Sequence, residues 1–260
     1  MNEFLNVISL GAGRQSSYML LNALEGKFTF KPDFAIFADT GCEPLYVYSF
    51  LNWLESYVKN HYNFNIIRVS KGNLKEDIQA DILLKKRPGT QIPLRIGTDG
   101  YILQRQCTRG YKLRPIHQYL QKIRNHQRIR MWIGISSDEV ERIKTSPVQY
   151  ITNYYPLVEH RISISEIKNW FEISGFKVPG KSACTICPFH TIQYWKRFKK
   201  SFPEEFESVC QFDDLIRFYP GLKDNAYISS QKKNLRSCDF EYTPSLFPEL
   251  IEDCDGLCGL

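Results

Sequence analysis

The sequence has too little cysteine to be a disulfide scaffold. Cysteine accounts for 8 of 260 residues, against the ~8–10% that marks a small stapled secreted domain. The thiols therefore need another purpose. No apolar run approaches the ~18 residues that would suggest a transmembrane helix, so no membrane partner is expected. The first residues, MNEFLNVISLGAGRQSS, have no basic segment leading into a long apolar one, so no secretory signal is expected either. The expected compartment is the cytoplasm, where thiols stay reduced, reactive or metal-bound. There is no internal repeat and no low-complexity linker. Hydrophobic residues at 43% and charged residues at 24% describe an ordinary globular chain rather than a disordered one.

A local absence is more informative. From Tyr101 to Ser137 there is no Asp or Glu, while Arg105, Arg109, Lys112, Arg114, Lys122, Arg124, Arg128 and Arg130 all fall in that stretch. The net charge of +6 is modest, but its concentration there points to a phosphate-rich partner, a nucleotide or a nucleic acid. A solvated basic face is the plain alternative.

What is present reads as an α/β chain. Asn6–Leu10 is short, apolar and β-prone, a glycine turn follows, and Ser16–Leu24 has a helical apolar face. Phe34–Phe37 and Asn65–Val69 read as further buried strands, with a helix over Tyr46–Asn60 between them. Helix-sized intervals between buried strands predict a doubly wound, mostly parallel sheet. Lys71–Tyr101, with Pro88-Gly89, Pro93 and Gly97, reads as an inserted loop region. A helix is predicted over Tyr111–Asn125 and a fourth strand over Arg130–Ile135. Another helix runs from Ser163 or Ser165 to about Ile173, with Glu166 in its first turn, and one more covers Thr191–Lys200. The expected division is an α/β nucleotide-binding core over 1–160 and a small cysteine-bearing helical cap over 161–260.

Three constellations carry chemistry. Ser9-Leu-Gly11-Ala-Gly13-Arg14-Gln15-Ser16-Ser17 lies between a strand and a helix. Glycines let backbone approach a ligand, and the free N–H groups at a helix start favour an anion. It lacks the Gly-Lys-Ser/Thr ending of a Walker loop and the third glycine of the dinucleotide fingerprint. The second is thiol chemistry: Cys184-x-x-Cys187 brings two sulfurs within reach of one metal or cluster. The third is Tyr194–Lys200, where alternating aromatics and cations suit either base stacking or an amphipathic helix with a basic face. His190 is a candidate ligand or acid–base group, or a structural histidine. Cys42, Cys210 and Cys238 read as buried structural residues, with Cys42 notable for its closeness to Asp39.

Five segments in order resemble one family. The Ser9–Ser17 loop is similar to the phosphate loop of the adenine nucleotide alpha-hydrolase superfamily, the PP-loop ATP pyrophosphatases. Ala38-Asp39-Thr40-Gly41-Cys42-Glu43, Cys107-Thr108 with Tyr111-Lys112-Leu113-Arg114-Pro115-Ile116, Gly134–Glu139 with Arg142, and Cys184–Phe189 with Trp195 resemble its phosphoadenylyl-sulfate reductase branch. In kind, the chain looks closest to the ATP-dependent sulfurtransferases of nucleic-acid modification.

The resemblance implies an enzyme that binds ATP with Mg²⁺, transfers AMP to an acceptor oxygen and releases pyrophosphate before sulfur displaces AMP. It assigns phosphate binding to Ser9, Gly11, Gly13, Arg14, Gln15, Ser16 and Ser17, with Thr40, Arg109, Lys112, Arg114 and Ser136 completing the nucleotide site. Asp39 and Asp138 close strands at the sheet edge where doubly wound folds hold ligands, and a carboxylate there suits Mg²⁺ or a nucleotide hydroxyl. Of Asp138 and Glu139, one is a site residue and the other is a partner for Arg142. Cys107, Cys184 and Cys187 are the implied ligands of a 4Fe–4S cluster, or of Zn²⁺, and Cys107 is also a catalytic candidate. Cys258, with Cys254, is the candidate fourth ligand. Implied partners are a nucleic-acid acceptor, a sulfur-donor protein such as a cysteine desulfurase, and a second copy in a homodimer.

The chain departs from true sulfonucleotide reductases at its end. There Asp253-Cys254-Asp255-Gly256 lacks the Glu before and the His after the reductase cysteine. A reductase-like oxidoreductase, an amide- or nitrile-forming PP-loop ligase, and a non-catalytic nucleic-acid-binding subunit of a modification or defence complex remain the alternatives.

Overall fold

A computed structural model describes residues 3–86, 92–97 and 101–241. In chain order the elements begin with β1 (Phe4–Leu10), α1 (Arg14–Leu24), β2 (Phe34–Asp39), α2 (Leu45–Tyr62) and β3 (Ile66–Ser70). Next come α3 (Leu74–Leu83), β4 (Arg95–Ile96), β5 (Tyr101–Ile102), α4 (Arg114–Ile123), β6 (Arg128–Ile133) and β7 (Ile151–Tyr154). The last are α5 (Pro156–Glu159), α6 (Ile164–Ile173), α7 (Ile192–Ser201), α8 (Pro203–Ile216) and β8 (Ala226–Tyr227). They fall into two compact units interleaved in sequence. The first holds Met1–Asp39, Leu45–Ser70 and Leu113–Ser182, and the second holds Thr40–Pro44, Lys71–Lys112 and Ala183–Leu260. This interleaving differs from a contiguous division at residue 160, because the segments that follow β2 and β3 pack with the C-terminal part.

The first unit is built on a five-stranded sheet in the order β3-β2-β1-β6-β7, with every neighbouring pair parallel. The architecture is α/β and doubly wound, as the strand–helix alternation predicts. β1 and β2 are interior strands of a parallel sheet, whose crossover helices cover both faces. Val7, Ile8, Ala35 and Ile36 are fully buried accordingly. Met19, Leu20 and Leu21 of α1, Phe50, Leu51 and Leu54 of α2, and Phe171 of α6 pack with Trp132 of β6 in one core. Ser163 caps α6: its hydroxyl accepts from the Glu166 N–H, and the Glu166 carboxylate returns a bond to the Ser163 N–H. This reciprocal box fixes the helix start that the sequence places at Ser163 or Ser165.

The second unit packs α3 and α7 on α8 and carries a small antiparallel sheet, β5-β4-β8. α3 falls inside the stretch expected to be a loop. Pro88, Gly89, Pro93 and Gly97 all lie beyond Leu83, and the Asn73 side chain caps the helix by accepting from the Lys75 and Glu76 N–H groups. α4 begins at Arg114 rather than Tyr111, after a π-helical turn over Thr108–Leu113. Pro115 has no N–H to return to the Tyr111 carbonyl, so regular α hydrogen bonding cannot extend back through that turn.

Candidate functional site

In a doubly wound sheet ligands sit at the carboxyl ends of strands, where the strand order reverses. Here the reversal lies between β1 and β6, since the chain moves outward through β2 and β3 and then returns to the other side of β1. The glycine–serine loop follows β1, and Gly134–Glu139 follows β6, so two of the expected segments flank the switch point. Ser9 itself is a strand residue, paired with Ile36 and Ile133.

The loop is closed by its own serine. The Gly11 N–H donates to Ser16 Oγ at 3.1 Å, and that hydroxyl donates to the Gly13 carbonyl at 3.3 Å. The Ser182 hydroxyl donates to the Gly11 carbonyl. No side chain caps α1, so the N–H groups of its first turn remain available for an anion. Ser17 is fully buried, and its hydroxyl has no hydrogen-bond partner among the described residues. Arg14 lies partly exposed at the helix start.

The β6 loop is tied to this loop. Gln15 Nε2 donates to Ser136 Oγ at 3.1 Å and to Glu139 Oε2 at 2.5 Å, while Arg142 donates to Glu139 Oε1 at 2.7 Å. Glu139 is therefore the partner of Arg142. Asp138 accepts from the Ile164 N–H at 2.5 Å, which makes its carboxylate a cap on α6. Gly134 permits the close approach: a Cβ there would lie 3.0 Å from Ser16 Cα and N. Asp39 ends β2, and its carboxylate accepts from the Tyr48 hydroxyl at 2.7 Å.

The second unit holds the thiols. Cys107, Cys184 and Cys187 line one small cleft, about 30 Å³ and so far too small for a nucleotide, together with Thr40, Arg105 and Lys112. The remaining walls are mostly apolar, with Ile92, Ile186 and Phe189 among them. Cys184 Sγ is 3.1 Å from Thr40 Oγ1 and 3.7 Å from Glu43 Oε1. A hydrogen bond with Cys42 and burial, reinforced by the Glu43 charge, push the Cys184 thiol well above its ordinary pKa, against the opposing pull of Lys112. The Glu43 side chain is 1% exposed and pairs with Lys112 Nζ at 3.5 Å. The Thr185 N–H and hydroxyl both donate to the Cys42 carbonyl, at 2.8 and 3.2 Å, joining the 40–44 and 183–187 segments.

Three thiols on one cleft fit the donor chemistry of an iron–sulfur or zinc centre. Among the described residues, however, no three His, Cys, Asp or Glu side chains are gathered closely enough to hold one metal ion. Cys254 and Cys258 lie outside the described residues. Arg109 and Arg114 are exposed, the first in the second unit and the second at the start of α4. His190 has a structural role, with Nε2 2.9 Å from the Cys184 carbonyl and its ring stacked 3.6 Å from Tyr194. Tyr194, Trp195 and Phe198 are buried, so α7 is an amphipathic helix and these aromatics are not presented to bases. Cys210 and Cys238 are buried, as expected.

No family profile matches the chain. It is 27% identical over 157 residues to the uncharacterized nin region protein ORF290 of Escherichia phage lambda. That match takes in 56% of the chain and 53% of the phage protein, so the chain spans about half the length of the curated relative it matches. Among solved structures it is similar to the U34-tRNA thiolase NcsA from Methanococcus maripaludis with its [4Fe-4S] cluster, at 15% identity and a TM-score of 0.42, over 83% of this chain and 73% of that one. Among the described residues no helix is long and apolar enough to cross a membrane.

Sequence reasoning missed three contributors. Glu43 ends the Ala38–Glu43 segment, and its burial beside Lys112 and Cys184 is a tertiary outcome. Tyr48 and Ser182 carry no sequence signal, because their bonds to Asp39 and to Gly11 are made by the fold.

Proposed function

We propose that the chain is an ATP-dependent, adenylylating enzyme of the sulfurtransferase type, acting on a nucleic-acid acceptor. The observation that carries this reading is the self-closed Gly11–Ser17 loop at the switch point of a parallel sheet, with an uncapped helix start behind it. The thiol cleft of the second unit supports the sulfur chemistry.

In this reading ATP places its phosphates on the Gly11–Ser17 backbone, with Arg14 and Arg114, which form no ion pair among the described residues, to offset their charge. An acceptor oxygen attacks the α-phosphorus, and the bond to the β-phosphate breaks with loss of pyrophosphate. A sulfur nucleophile then forms its bond at the activated carbon as AMP leaves. Gln15 holds the loop to Ser136 and Glu139, and Asp39, oriented by Tyr48, is the carboxylate for Mg²⁺ or a ribose hydroxyl. Mg²⁺, when bound, would supply charge stabilisation to the leaving pyrophosphate. Cys107, Cys184 and Cys187 are the residues that would hold a cluster or zinc, which supplies a binding place for sulfur. A sulfur-donor protein and a homodimer belong to the same proposal.

The test is pyrophosphate release from ATP by the anaerobically purified chain, with iron and sulfide analysis alongside. Wild type is expected to release pyrophosphate in the presence of acceptor, and Ser16→Ala plus Ser17→Ala to lose that release while staying folded. Full activity in that double variant overturns the loop assignment. A colourless protein with one zinc per chain removes the cluster and keeps the nucleotide reading. Thioredoxin-dependent sulfite release would favour the reductase alternative instead.

A further inference from the structure

The acid-free stretch is not all at the phosphate loop. β1 and β6 pair in parallel with Phe4 opposite Arg128 and Asn6 opposite Arg130, so Arg128 begins β6 and Arg130 follows two residues on, in the amino-terminal half of that strand. The Arg130 guanidinium carbon is 3.6 Å from the Phe30 ring centre and 4.5 Å from that of Phe4, and Arg128 lies 5.2 Å from the same Phe4 ring. Arg124, just beyond α4, sits 4.5 Å over Tyr150. Arg128 is exposed, and Arg124 and Arg130 are partly exposed. None of the three forms an ion pair among the described residues. The neighbouring Asp33 carboxylate takes the Asn6 N–H instead.

A guanidinium held against an aromatic ring has its faces covered and keeps its in-plane N–H edges for polar partners; Arg130 Nη1 donates to Asn6 Oδ1 at 3.1 Å and Arg124 Nη1 to the Gln127 carbonyl at 3.3 Å, and the remaining N–H edges make no hydrogen bond among the described residues. Those edges match phosphate oxygens in a two-pronged geometry. We infer that Arg124, Arg128 and Arg130 form a ledge at the amino edge of the parallel sheet that grips the phosphate backbone of a nucleic-acid duplex. The inference rests on the nucleic-acid acceptor of the proposed function and extends it to a second contact. β1 has 7 residues, so at ~3.3 Å per residue the ledge is roughly 20 Å from the phosphate loop. A nucleotide in the loop cannot touch it. A duplex strand, rising ~3.4 Å per nucleotide, needs about six base pairs to cover the same distance. The ledge therefore selects a polymer acceptor over a nucleoside or dinucleotide.

The experiment measures binding of the full chain to a labelled 24-base-pair duplex across a salt series, in DNA and RNA forms, by fluorescence anisotropy. The variants are Arg124→Ala with Arg128→Ala, and Arg124→Lys with Arg128→Lys. Removing two phosphate contacts should lower the slope of log K against log [salt] by about two, at ~0.9 per contact. The lysine pair should recover most of that slope, which separates lost charge from lost folding. A four-base-pair duplex should show no difference between wild type and the alanine pair. An unchanged slope in the alanine pair overturns the ledge, as does absence of duplex binding by wild type, or preferential binding to phosphatidylserine vesicles. Pyrophosphate release from ATP is read separately. Its loss with the slope change intact would overturn the enzymatic reading and leave the ledge standing.

Discussion

Gln15 and Glu139, 124 residues apart in sequence, are joined by a 2.5 Å hydrogen bond from the amide to the carboxylate. The same carboxylate takes Arg142 through its other oxygen. The Gly11–Ser17 loop and the β6 loop are thus one bonded assembly, and the first loop's shape depends on a residue outside it.

Gln15→Ala should therefore weaken ATP binding without unfolding the chain. A hydrogen bond to a charged group contributes ~1.5–3 kcal/mol, so a loss of roughly tenfold or more in affinity is expected by calorimetric titration. Glu139→Gln keeps the shape and removes the charge, and should cost less than Glu139→Ala, which also leaves Arg142 unpaired. Equal affinities for wild type and Gln15→Ala would show that the bond does not organise the loop.

Gly134→Ala tests the close approach of β6 to α1. The added Cβ would meet Ser16 backbone atoms at 3.0 Å, and backbone cannot rotate away as a side chain can. A loss of ~1–3 kcal/mol in stability is expected, as for overpacking in a core, visible as a lowered denaturant midpoint. A lower ATP affinity should accompany it, because the displaced atoms belong to the loop.

Glu43→Ala should destabilise the second unit. It removes a carboxylate that is 1% exposed and leaves Lys112, 21% exposed, without that charge. Breaking a buried pair from one side costs ~3–5 kcal/mol, and the partial exposure of Lys112 places this case at or below the low end. Glu43→Ala with Lys112→Met should recover much of the loss in a double-mutant cycle. An additive pair of losses would mean that the two charges do not interact.

Alkaline pH should destabilise the fold through Cys210 and Tyr219. Burial pushes both up to about 12, from ordinary values of 9.0 and 10.0. Each group holds its proton more tightly folded than unfolded. Their contribution is fully present below the unfolded values and is lost as pH rises from about 9 toward 12. Thermal midpoints should fall across that window, and Cys210→Ala should be less stable at neutral pH yet show a shallower fall. A curve parallel to wild type would remove Cys210 as a cause.

The core elements were legible because their patterns are local. NVISL and FAIF are continuous apolar runs that only a strand buried on both faces uses well, and Ser163 with Glu166 is a capping box readable from spacing alone. α3 was obscured by the prolines and glycines that follow it, although Asn73 three residues ahead of Glu76 carries a capping signal. The role of the aromatics in Tyr194–Lys200 was open, since the same alternation serves base stacking or core packing, and burial of Trp195 decides for packing.

By itself, the sequence determined the α/β alternation, the strand-to-helix glycine loop, the pairing of Glu139 with Arg142 as one of two options, and the CxxC pair. All of these depend on residues a few positions apart, where spacing and propensity act directly. Only the tertiary structure decided that Asp138 caps α6, that Glu43 and Cys42 stand beside Cys184, and that Arg124, Arg128 and Arg130 lie at the opposite end of the strands from the Gly11–Ser17 loop. Those relationships join positions up to 142 residues apart, and they follow from strand order and packing, which side-chain identity along the chain does not encode locally.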